Sequence, residues 1–79
     1  MPYIEDADRE RVIGDGPKTA GELNFAFTHL ILEYIDRKGE CYQTLNDIMG
    51  ALEGAKLELY RREIAPYEDT KIKKNGDIY

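Results

Sequence analysis

The sequence predicts an all-α fold, on three observations. A threonine cap followed three residues later by glutamate opens a run of apolar residues at helical spacing. A second run of the same period follows and meets a proline. No stretch alternates apolar and polar residues as a half-buried strand does. The expected architecture is an antiparallel helical hairpin plus a short C-terminal helix, one small domain over residues 1–79.

Residues 1–18 read as a polar lead-in. Glu5, Asp6, Asp8 and Glu10 put acids where a short helix would begin and where its dipole favours them. Four acids so close raise a metal reading, but an acidic, solvated helix start accounts for them without one. Gly14-Asp15-Gly16-Pro17 is expected to break any helix. With Lys18-Thr19 it resembles an anion-binding loop ahead of a helix, yet it does not satisfy the phosphate-loop pattern. A connector followed by a cap is the plain reading.

The first long helix spans 19–38. Thr19 and Glu22 form its capping box, and Gly39 is a natural left-handed residue to end it. Leu23, Ala26, Phe27, Leu30, Ile31, Tyr34 and Ile35 make one stripe, while Phe25 and Leu32 fall on a second face. A monomeric hairpin needs only one apolar face, so the second implies another subunit.

The second helix spans 42–64, opening at Tyr42 or Thr44 and running through Leu45, Ile48, Met49, Leu52, Ala55, Leu59 and Tyr60. Gly50 and Gly54 stand in its interior at a cost of about 1 kcal/mol each against alanine. Close helix–helix approach along their small-residue face is the expected return. Pro66 is expected to end this helix near Ile64 and to start a third, short helix that with its tail fills 66–79, with Glu68 and Asp69 in its first turn. Lys71, Lys73 and Lys74 stand toward its end, before an Asn75-Gly76 cap.

Size and charge bound the function. Seventy-nine residues lie near the limit at which one core suffices, and Cys41 alone can form no intrachain disulfide. Two hairpins make a four-helix bundle where one cannot enclose a core, so a homo-oligomer, a dimer or higher, is expected. A lone thiol, no signal peptide and no long apolar run point to the cytoplasm and away from a membrane. The net charge of −5 argues against nucleic-acid binding. It is uneven: residues 1–55 hold 5 basic and 11 acidic side chains, residues 56–79 hold 6 and 5.

Three constellations carry possible chemistry. His29 stands four residues before Glu33 and seven after Glu22, so the three share a helix face; a hydrogen-bonded histidine is the simpler reading than a metal ligand. Di-iron bundles use Glu-x-x-His pairs, which this chain lacks. Small all-α nucleotide pyrophosphohydrolases of the MazG type hold magnesium on Glu-Glu-x-x-Glu and a later Glu-x-x-Asp. Glu33-Tyr34-Ile35-Asp36 resembles only the second element. The densest constellation is C-terminal: Arg61 and Arg62 suit phosphates or carboxylates, Tyr60, Tyr67 and Tyr79 offer stacking faces, and Lys71 and Lys74 add positive potential. The same groups would serve equally as a clamp within an oligomer.

Glu22-Leu23-Asn24, Gly50-Ala51-Leu52-Glu53, Lys56 to Arg62, Pro66-Tyr67-Glu68-Asp69 and Asn75 to Tyr79 resemble a family of small uncharacterised proteins of bacteria, archaea and phages. That resemblance extends to the Met1-Pro2-Tyr3-Ile4 start, implies phage or prophage provenance and carries over no catalytic residue. In size and helical content the chain is also similar to small phage proteins that sequester the nucleotide signals of bacterial immunity. The expectation is a non-enzymatic protein that needs no cofactor or metal and binds a small anionic, nucleotide-like ligand near Tyr60, Arg61, Arg62, Tyr67, Lys71, Lys74 and Tyr79. A MazG-like hydrolase and a purely structural or protein-interaction module are the alternatives.

Overall fold

The computed structural model describes residues 4–79, so Met1-Pro2-Tyr3, quoted for the resemblance, lies outside the described residues. Every regular element among them is helical. A 3₁₀ turn (Asp6–Asp8) leads into α1 (Arg9–Asp15), and α2 (Ala20–Lys38), α3 (Tyr42–Leu59), a π-helical turn (Tyr60–Ile64) and α4 (Ala65–Asn75) follow. The chain divides into two units, Met1–Thr44 and Leu45–Tyr79.

In the first unit the acidic start forms helix, as its charges favour. Gly14 does not break it: α1 continues to Asp15, and Gly16 at φ +89° ends it, donating its N–H to Val12 O at 2.8 Å. Val12 on α1 is 2% exposed and is the buried apolar residue of the described chain. The segment read as a polar lead-in therefore packs against α2 and supplies the most enclosed side chain.

The N-terminus of α2 is capped by Thr19, whose Oγ1 accepts from Glu22 N–H at 3.1 Å. The returning arm differs from the usual box, since the Glu22 carboxylate accepts from the N–H of Lys18 at 2.9 Å. At the other end Gly39 N–H donates to Ile35 O at 2.8 Å. Its φ of +89° is positive as expected, but ψ is 140°, extended rather than left-handed helical. Only glycine visits that region without strain. Cys41 precedes α3 with its Sγ 3.4 Å from Thr44 Oγ1, and Thr44 is buried.

The second unit runs helically from Leu45 to Asn75. Pro66 was expected to stop one helix and start another; instead the backbone stays right-handed helical through Leu59, Ile64 and Ala65. Proline lacks an N–H and its ring crowds the carbonyl four residues back. The chain answers by widening one turn, so that Ala65 N–H donates to Tyr60 O, five residues back. A π turn inserts nearly one extra residue, which rotates everything after it relative to an uninterrupted α-helix. The apolar positions Leu45, Ile48, Leu52 and Leu59 are then continued by Ile64 and Tyr67. Without that turn Glu63 would fall on the stripe in place of Ile64.

Gly76 at φ +85° ends α4, with its N–H donated to Ile72 O at 2.8 Å. Within residues 45–79 only Ile48 and Ala65 are half-buried, and every other residue is exposed. Met49 is 68% exposed and Tyr67 61%. Apart from the adjoining backbone of their own helix, nothing among the described residues lies within 4 Å of a Cβ built at Gly50 or Gly54.

Candidate functional site

The C-terminal group singled out in the sequence falls on two successive elements and a tail. Tyr60, Arg61 and Arg62 belong to the π turn itself. Tyr67, Lys71 and Lys74 stand on α4, and Tyr79 lies beyond its glycine cap.

The Tyr60 hydroxyl donates to Glu68 Oε1 at 2.6 Å. Those residues are eight apart, a reach along one face that the inserted π residue helps to align. The bond holds the phenol above its ordinary pKa, because the Glu68 carboxylate accepts from the neutral form and its charge opposes ionisation. Arg62 Nε donates to Glu58 Oε1 one turn back. Both side chains are more than half exposed, so this pair contributes only about 0.3–0.5 kcal/mol. Lys71 places its ammonium 5.5 Å from the centre of the Tyr67 ring, a cation–π contact of about 0.5–1 kcal/mol at an exposed site. Thr70 Oγ1 donates to Tyr67 O at 2.6 Å.

The seven residues thus divide by what already holds them. Tyr60, Arg62, Tyr67 and Lys71 are engaged with neighbours on their own helix. Arg61 and Lys74 take part in no ion pair among the described residues. Tyr79 donates its N–H to Asp77 Oδ1 at 3.0 Å while its side chain stands fully exposed. It joins the others by sequence alone. Within residues 45–79 the helix that bears all of these groups but Tyr79 offers stacking faces and cations on an exposed surface, whereas small-molecule sites are concave and bury most of the ligand.

A second constellation, absent from the sequence reading as a unit, forms in residues 1–44. Arg11 Nη2 lies 2.8 Å from Glu22 Oε2, and Nη1 is 3.5 Å from Oε1, joining α1 to the first turn of α2. With the Lys18 N–H also on that carboxylate, Glu22 is held below the ordinary carboxylate range, first by the Arg11 hydrogen bond and then by Lys18. Glu22 is therefore turned toward α1 and taken. His29, which shares its helix face, has its Nε2 3.4 Å from Glu33 Oε1 and its ring stacked on Phe25, centroids 5.9 Å apart. The structure does not gather Glu22, His29 and Glu33, and no group of three His, Cys, Asp or Glu among the described residues is placed to hold a metal ion. No helix of the described chain is long and apolar enough to cross a membrane. The Thr19–Glu22 spacing was the signal that Glu22 is structural; nothing local marked Arg11 as its partner.

No curated protein and no solved structure matches the chain. A family model described as a domain of unknown function (DUF6899) matches residues 1–78, and the chain belongs to that family.

Proposed function

We propose that this protein acts by association rather than catalysis, as a self-associating helical module whose C-terminal helix packs its apolar stripe against another helix of the assembly. One observation carries the proposal: the 45–79 unit encloses none of its own residues while presenting a continuous stripe from Leu45 to Tyr67. Helices in proteins draw most of their stability from packing such a face, not from intrinsic propensity. A homo-oligomeric bundle supplies that packing. Static light scattering of the full chain is expected to give a multiple of its 9.1 kDa mass. Leu52→Glu, which sets a charge on the stripe, is expected to return it toward the monomer. A wild-type chain that is monomeric and helical at every concentration would sink the proposal.

A second reading keeps the anionic, nucleotide-like ligand, held against Tyr60, Arg61, Tyr67 and the lysines at the surface of such an assembly. What favours it is Arg61, a guanidinium without an ion partner among the described residues, inside a π turn. Such turns recur at functional sites. A thermal-shift panel of cyclic dinucleotides, ADP-ribose derivatives and nucleoside triphosphates tests it: the reading expects a shift with one class, lost in Arg61→Ala.

A further inference from the structure

We infer that the interface of this module is the C-terminal helix paired antiparallel with its own copy, about a two-fold axis passing close to the π turn. This rests on the self-association proposed above and specifies its surface and partner. Three features of residues 45–75 point to that arrangement.

The first is charge. Residues 45–59 carry one base and three acids, a net −2, while residues 60–75 carry five bases and three acids, a net +2. Antiparallel pairing lays each half against the opposite half of the second copy, so unlike charges meet at both ends. Parallel pairing in register lays like on like. Complementary potentials of this kind decide orientation more than they add affinity.

The second is Lys71. It continues the stripe, four residues after Tyr67 and seven after Ile64, and so stands on the docking face itself. In a parallel pair Lys71 would meet Lys71 across the seam, an unpaired like-charge contact in a partly dry interface. In the antiparallel pair it lies opposite the Leu52–Glu53 region, where its stem covers apolar surface and its ammonium finds an acid.

The third is the position of the turn. Leu45, Ile48, Leu52 and Leu59 precede it, Ile64 closes it and Tyr67 follows, and the pairing of Lys71 with Leu52 puts the axis midway between Leu59 and Ile64, inside the Tyr60–Ile64 segment. An isologous interface needs a surface that maps onto itself about its centre. A stripe interrupted by Glu63 there would leave a carboxylate from each copy on the apolar seam beside the axis. The π turn sets Ile64 beside the axis instead, facing Leu59 of the second copy.

Cysteine cross-linking tests the geometry directly, in a Cys41→Ala background whose helicity and light-scattering mass match the parent chain. Leu59→Cys and Ile64→Cys, which face each other on either side of the axis, are expected to form a disulfide-linked dimer when mixed. Leu52→Cys and Lys71→Cys, far from the axis, are expected to remain unlinked separately and to link to each other when mixed. An oligomeric chain in which Leu52→Cys and Lys71→Cys each link to themselves has parallel helices, and that result overturns this inference while leaving self-association in place. An oligomeric chain that gives no link in any combination places the interface elsewhere, with the same consequence. A monomeric parent chain overturns both.

Discussion

At Glu22 one carboxylate accepts from the Lys18 N–H and from the Arg11 guanidinium, while its own N–H donates to Thr19 Oγ1. The cap, the preceding loop and α1 are tied through a single side chain. The consequence is a pH dependence with a definite sign. Because the folded protein holds Glu22 below its ordinary pKa, the unfolded chain binds the proton more readily. The stability this contributes is complete above the ordinary carboxylate range, about 4.3, and is lost as pH falls through the depressed folded value. Thermal melts from pH 7 downward are expected to lose stability on that acid limb, and Glu22→Gln is expected to flatten it while lowering the plateau. Half of this was legible in the sequence. Thr19 and Glu22 are three apart and speak for themselves, but Arg11 is eleven residues from Glu22, and only the turn at Gly16 brings it there.

At the level of elements, the junction at Pro66 is the instructive one. A proline in a helical pattern has two solutions, a break or a widened turn, and both leave the same local signature. What selects the second is the residue set beyond it. With the π turn, Ile64 and Tyr67 extend the stripe begun at Leu45; with a break, α4 would be a short helix carrying mostly charge. Pro66→Ala restores an N–H and removes the ring that crowds the preceding turn. The expected result is equal or greater helicity by circular dichroism together with weaker self-association by sedimentation, because Glu63 rotates into the place of Ile64. Unchanged association would show that the register set by the π turn is irrelevant to docking. Gly50 and Gly54 belong to the same scale. They were read as a close-approach face, and nothing among the described residues approaches them.

For the molecule as a whole, enclosure is scarce. Among the described residues Val12 is the buried apolar residue, Thr44 the buried polar one, and large side chains from Leu23 to Tyr79 stand exposed. A chain of 79 residues without disulfides has little reserve against the entropy of ordering its backbone. Association supplies the missing burial and makes stability a function of concentration. The melting temperature is expected to rise over a hundredfold increase in protein concentration, and Leu52→Glu is expected to abolish that rise. A melting temperature independent of concentration in the oligomeric range would count against coupled folding and assembly.

The helical class, the Thr19 cap, the glycine at the end of each long stretch, the period of the first stripe and that of the second as far as Leu59 were determined by sequence alone, because each is a relation among residues within about one turn. The tertiary structure decided the rest. It turned Glu22 toward Arg11 and away from His29, enclosed Val12 in a segment that reads as polar, and carried the helix through Pro66. Each outcome depends on where a turn places residues that are distant in the chain, or on how one widened turn rotates all those after it. Local pattern does not encode either of these.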